Sequence, residues 1–204
     1  MRVRLVAAEA IGVAVLAAGA TSAGAAPAAE RGWSATFPDA VGEHPAAPDI
    51  TRVTVANDDA GILSFTVRLA NRPTLGTSEV LLAINADDDL ATGNEKWNGA
   101  EYAIDLTAKD GGGVARWTGA QWDWTTPQSS FRCSYAAGTA RFTIDAAELG
   151  STKTFTFVAG AGDGDQWDWA PESGDFSYTL RASPSVTKTV ANAPSKPAKT
   201  KRHR

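Results

Sequence analysis

The chain of 204 residues has one cysteine, Cys133, one methionine, Met1, and two histidines, His44 and His203. A single cysteine excludes an intrachain disulfide. So few His and Cys side chains exclude a zinc site with the usual nitrogen and sulfur ligands. A nucleophilic triad lacks its base, because His44 stands in the proline-rich stretch His44-Pro45-Ala46-Ala47-Pro48. Haem needs axial ligands, and neither histidine falls in a strand-like pattern. Long apolar runs are also missing. The longest, Ala10 to Ala20, is shorter than the roughly 20 residues of a bilayer span. It follows Arg2 and Arg4 and precedes Ala23-Gly24-Ala25, so residues 1–25 read as a cleaved secretory signal, with Glu9 a small irregularity. No transmembrane segment is expected, and the mature chain is expected to be secreted or cell-surface associated.

Acidic and aromatic residues are absent from Ala182 to Arg204, which is rich in Pro, Ala, Ser, Thr and Lys. Such a segment cannot bury enough apolar surface to offset its ordering entropy, so a disordered basic tail is expected over 182–204. A solvated tail is the plain reading. Adhesion to an anionic cell-wall polymer is the sharper one. The net charge of −4 hides the asymmetry. Residues 1–25 carry +1, the tail carries +6, and residues 26–181 carry −11. A domain that acidic is a poor nucleic-acid binder, because phosphates demand neutralising cations, and a good cation binder.

What is present is period-two alternation. Thr51–Ala56, Ile62–Leu69, Glu79–Ile84, Glu101–Thr107, Val114–Trp117, Gln121–Trp124, Phe131–Tyr135, Ala140–Ile144, Thr154–Ala159 and Phe176–Arg181 read as short strands. Turn residues separate them, among them Lys109-Asp110-Gly111-Gly112-Gly113. Asp145 to Gly150 reads as one helical turn with Glu148 completing a capping box. Strands of this length without a long helical period predict an all-β fold, an antiparallel, jelly-roll-like β-sandwich over 50–181, after a partly irregular lead-in at 26–49. Cys133 shares a strand face with Phe131 and Tyr135 and reads as a small buried hydrophobe.

Two features carry chemistry. In Asn85-Ala86-Asp87-Asp88-Asp89, oxygen-bearing side chains recur at every second position straight after the apolar run Val80–Ile84. Ca²⁺ takes about six to eight oxygen ligands, so Asn85, Asp87 and Asp89, with Glu101 as a further ligand, are the expected metal residues of a structural calcium site. It is not an EF-hand, since Leu90 and Lys96 stand where the turn glycine and bidentate glutamate belong. The second feature is a tetrapeptide that occurs twice, Gln121-Trp122-Asp123-Trp124 and Gln166-Trp167-Asp168-Trp169. Sugar rings have apolar C–H faces that stack on indoles, so Trp122, Trp124, Trp167 and Trp169 are the expected ligand-binding residues, with core packing as the competing reading. Gly162, Gly164 and Pro171 suggest a loop over 162–174, which favours Trp167 and Trp169 and frees Asp168 to accept sugar hydroxyls. No acid sits in a motif that marks a glycosidase pair, so no enzyme activity is expected.

The pattern from Thr51 to Leu180 resembles secreted bacterial β-sandwich domains of the carbohydrate-binding module family 9-like and DOMON-like group. The resemblance rests on Ile84-Asn85-Ala86-Asp87-Asp88-Asp89, Thr92-Gly93, Gly99-Ala100-Glu101-Tyr102-Ala103-Ile104, Trp117-Thr118-Gly119-Ala120-Gln121-Trp122 and Asp168-Trp169-Ala170-Pro171-Glu172-Ser173-Gly174. It implies a sandwich with a structural calcium, and sugar binding. Asn85 and Glu101 depart from the aspartates of that group. The functional expectation is an exported, non-catalytic, calcium-stabilised module that recognises glycan. The alternative is a wall-associated structural protein with core tryptophans and an adhesive tail.

Overall fold

The computed structural model describes residues 32–182. The expected signal segment and all of the basic tail beyond Ala182 lie outside them. Twelve strands form in chain order: β1 (Gly32–Pro38), β2 (Ile50–Asp58), β3 (Ile62–Leu69), β4 (Glu79–Asn85), β5 (Tyr102–Thr107), β6 (Gly111–Trp117), β7 (Trp122–Asp123), β8 (Arg132–Ala136), β9 (Thr139–Asp145), β10 (Thr154–Asp163), β11 (Gln166–Ala170) and β12 (Phe176–Thr179). All pairings between them are antiparallel. One sheet has five strands in the order β1-β2-β3-β9-β8. The other has seven, β11-β10-β4-β5-β6-β7, with β12 sharing the free edge of β10 beside β11. The fold is a β-sandwich. Among the described residues no helix is long and apolar enough to cross a membrane.

Alternation sends one set of side chains from each sheet into a shared core. Val53, Val55, Leu63, Phe65, Val67, Phe142 and Ile144 come from the five-stranded sheet, and Val80, Leu82, Ile84, Ile104, Phe155 and Phe157 from the seven-stranded sheet. In β2 and β3 the intervening residues are mostly polar. In β4 they are not: Val80 to Ile84 is buried throughout, because Leu81 and Ala83 are covered from outside. A continuous apolar run marks a strand buried on both faces.

Three local expectations need correction. The lead-in at 26–49 contains a full strand, since β1 pairs along β2 from Gly32↔Asp58 to Pro38↔Arg52 and sends Phe37 to the core. The run Gly111-Gly112-Gly113 starts β6 and is not wholly a turn. A side chain at Gly112 would meet the Cys133 sulfur at 2.5 Å, and one at Gly113 would meet the Trp124 ring at 3.3 Å, so closeness of neighbours accounts for two of the glycines. The turn at Ala146–Leu149 is a short 3₁₀ helix capped by Asp145, which accepts from the Ala147 N–H at 2.9 Å. Glu148 does not complete a capping box; it accepts from the backbone and hydroxyls of Ser129 and Ser130. Cys133 is half-buried against the core.

Candidate functional site

The outer face of the seven-stranded sheet has a floor of small side chains. Leu81, Ala103 and Ala115 form a second buried cluster there, separate from the core, and Trp97, Trp122, Trp167 and Trp169 pack over it. Trp167 and Trp169 stand on the edge strand β11 opposite Gly162 and Gly160 of β10. Both rings lie across those glycines: a Cβ at Gly162 would run into the Trp167 ring, and one at Gly160 would meet Trp169 at 2.7 Å. Glycine at these two positions therefore lets two indoles lie down on the sheet. They stack at 5.3 Å with 17° between planes. At the far edge, the turn Thr118-Gly119-Ala120-Gln121 pairs Trp117 with Trp122, their rings 5.3 Å apart and edge to face. Trp97 bridges the two ends, 5.2 Å from Trp122. Trp124, 46 % exposed, lies across Gly113. Six of the seven tryptophans thus share one face; only Trp33, under the Arg181 guanidinium, does not. A groove of about 380 Å³ runs between Trp97, Trp167, Trp169, Leu81 and Glu79.

Two acidic groups on this face are Glu79 and Asp105. Burial, and then the charge of Asp105, raises the Glu79 carboxyl above its ordinary value. Burial also raises Asp105, opposed by the Gly113 N–H that it accepts at 2.8 Å. Neither stands in a recognisable motif, and Asp105 lies mid-strand in Ile104-Asp105-Leu106, where period two says only that it faces outward.

The structure brings the four expected ligand-binding tryptophans to one surface, but not through a loop. Residues 166–170 are a strand, so Asp168 points away from Trp167 and Trp169. It is 1 % exposed and accepts from the Ile50 N–H at 2.6 Å; it cannot reach a sugar on the Trp face. Asp123 is equally engaged. Its first oxygen accepts from the Thr125 hydroxyl and N–H, which hold its carboxyl below the usual range. Trp97 was missed because it sits outside any strand pattern.

The Asp-rich loop lies at the end of β4, behind Trp97. The Thr92 hydroxyl lies 3.0 Å from both Asp87 carboxylate oxygens, 3.0 Å from the Asp89 carbonyl and 2.6 Å from Glu101 Oε1. A hydroxyl has one proton, so acceptor oxygens here outnumber the donor between them. That crowding fits a hard cation. Asn85 is 3 % exposed and its Oδ1 has no partner. Asp87, Glu101, the Thr92 hydroxyl and the Asp89 carbonyl are the donors that would hold the ion, while the Asp89 carboxylate turns to the Ala91 N–H at 2.9 Å. Glu101 also accepts from the Ala86 N–H at 2.7 Å. The loop is tied to the Trp face: Asn85 Nδ2 donates to the Asn98 carbonyl at 3.0 Å, next to Trp97, and Asn94 caps the short turn Glu95–Trp97. Compared with known proteins, the sequence matches no family model and no curated protein.

Proposed function

We propose that this protein is an exported, non-catalytic glycan-binding module, stabilised by calcium in the 85–93 loop and recognising sugar rings on the tryptophan face of its seven-stranded sheet. The observation that carries the reading is the pair of indoles laid flat over Gly160 and Gly162, flanked by Trp97 and half-exposed together. A mostly apolar groove with few polar groups is the usual form of a small-ligand site. Pyranose C–H faces match flat indoles. Glu79 lines the groove and offers an acceptor for hydroxyls, and Asp105 stands opposite Leu81 on the neighbouring strand. The resemblance to carbohydrate-binding module family 9-like domains points the same way.

A hydrolase would use two carboxylates with opposite demands, one protonated and one ionised. The test is calorimetry and tryptophan fluorescence across soluble oligosaccharides and cell-wall glycans, with calcium present. Saturable binding that Trp169→Ala abolishes without unfolding supports the reading. No response across the panel, or release of reducing sugar that depends on Glu79 or Asp105, overturns it.

A further inference from the structure

On the other side of β11, directly beneath the stacked indoles, acids gather around Asp168. Asp39 follows β1, Glu43 and Asp49 lie on the segment between β1 and β2, and Glu172 follows β11. Asp168 is almost wholly buried, yet its Oδ1 has no hydrogen-bond partner. Asp39 Oδ2 and both Glu43 carboxylate oxygens are likewise buried and without partners. Asp49 is engaged, accepting from the Gly42 N–H at 3.0 Å. Ligand atoms of His44, Asp168 and Glu172 lie within 4.8 Å of one another. No lysine or arginine makes an ion pair with these acids among the described residues; the one contact is His44 to Glu172 at 3.7 Å. Burial, and then Asp168, Glu43, Glu172 and Asp49, push the Asp39 carboxyl up to about 7. Unpaired buried carboxylates are costly; Asp168 and Glu172 lie within joint reach of one ion, and the orphaned Asp39 and Glu43 oxygens near them add the further carboxylates that a hard divalent cation takes.

We propose that Asp168 and Glu172 bind a calcium ion on the inner side of β11, with the orphaned Asp39 and Glu43 carboxylates beside them completing its shell, a second cation site separate from the Asp-rich loop, which fixes the edge strand that carries Trp167 and Trp169. The donors are carboxylate oxygens, which suit calcium. His44 stands at the exposed rim, where it would be needed only by zinc. The ion links three pieces of chain: the end of β1, the segment before β2, and β11. Asp168 already joins the last two through the Ile50 N–H.

The experiment uses the full metal-free chain carrying Asp87→Ala, so that the loop site does not contribute and its failure is separate from failure here. Millimolar Ca²⁺ covers the weak end of extracellular calcium modules, about 10⁻⁴ to 10⁻³ M. Calorimetry should show one remaining site and the melting temperature should rise with Ca²⁺. Glu43→Gln, on a partly exposed side chain, should weaken that affinity at least about tenfold, about 1.4 kcal/mol by RT ln 10. Asp168→Asn keeps the shape and the acceptor for Ile50, and should remove the calcium response while leaving the metal-free melting temperature unchanged or higher. Tb³⁺ in place of Ca²⁺ should luminesce through Trp167 and Trp169, lose that emission in Asp168→Asn, and need about tenfold more Tb³⁺ to reach it in Glu43→Gln. Three results overturn the proposal: no heat and no melting shift with Ca²⁺; binding unaltered by both Glu43→Gln and Asp168→Asn; or binding of Zn²⁺ alone, lost on His44→Ala.

Discussion

The two outer faces of the sandwich are built from opposite materials on the same scaffold. The five-stranded sheet presents Arg52, Thr54, Thr66, Arg68, Thr139 and Arg141. Their contacts are modest and polar, such as Thr36 to Thr54 at 3.2 Å and Arg68 to the Thr139 hydroxyl at 3.1 Å. The seven-stranded sheet presents glycine, alanine and six tryptophans. Both sheets bury the same kind of apolar side chain inward, so stability of the core does not require the difference. A polar, β-branched outer face is what water demands of an antiparallel sheet. A face of flat rings over small residues is a departure from that rule, and departures concentrate where a protein binds something.

The largest expected effect separates the faces through the metal. Chelation should lower stability by about 2.7 kcal/mol relative to calcium at a hundredfold excess over its dissociation constant, read as a fall in melting temperature of roughly 2–4 °C per kcal/mol. Asp87→Ala should abolish the part of this response that belongs to the loop. Hydrogen exchange should quicken around Trp97 and leave Thr66 and Arg141 unchanged. Equal loosening of both faces would show that the loop does not serve the Trp face in particular.

Next comes ligand affinity. Trp169→Ala should weaken glycan binding by about 2 kcal/mol or more, roughly thirtyfold, as for a central aromatic anchor. Arg52→Ala and Arg141→Ala on the other face should change it by less than twofold, by calorimetry. Comparable losses from both faces would end the assignment of binding to one of them.

Stability of the platform is a smaller effect. Gly160→Ala places a methyl against the Trp169 ring and should cost about 1–3 kcal/mol as overpacking does, in denaturant titration. Thr66→Ala should stay within roughly 0.5 kcal/mol, as surface changes usually do. A neutral Gly160→Ala would mean that the indole lifts freely.

The smallest effect is pH. Glu79 and Asp105 have raised folded-state values, so protonation relieves the cost of their buried charge. Their contribution to stability should rise as pH falls through those raised values and level off below the ordinary unfolded carboxylate range. Glycan binding should move the other way over the same window, because protonated carboxyls accept less well. Glu79→Gln with Asp105→Asn should flatten both curves; pH profiles unaltered by the double change would remove these acids from the site.

Much of this was legible in the chain. Alternation in Ile62–Leu69 and Ala140–Ile144 gives strands with one wet face. The unbroken Val80–Ile84 gives a strand covered on both sides. The Asp-rich loop was visible from spacing, though spacing could not say that the Asp89 carbonyl accepts from the Thr92 hydroxyl while its carboxylate accepts from the Ala91 N–H. β1 alternates in sequence too, with Trp33, Ala35 and Phe37 between Ser34 and Thr36, but it is short, half-exposed and followed by an irregular proline-rich segment, so it reads as part of the lead-in. The loop expected at 162–174 was a strand, since Gly160 and Gly162 make room for rings and Pro171 comes after the strand has ended.

Sequence alone determined the fold class, the inward residues and the acidity of the domain, because period two and net charge are local or additive properties. Only the tertiary structure decided that Trp97, Trp117, Trp122, Trp124, Trp167 and Trp169 meet on one sheet face, and that Asp168 turns inward to Asp39 and Glu43. Those juxtapositions depend on strand order. β11 and β7 lie at opposite edges of the sheet, and no spacing along the chain encodes which edges the two Trp-Asp-Trp segments take.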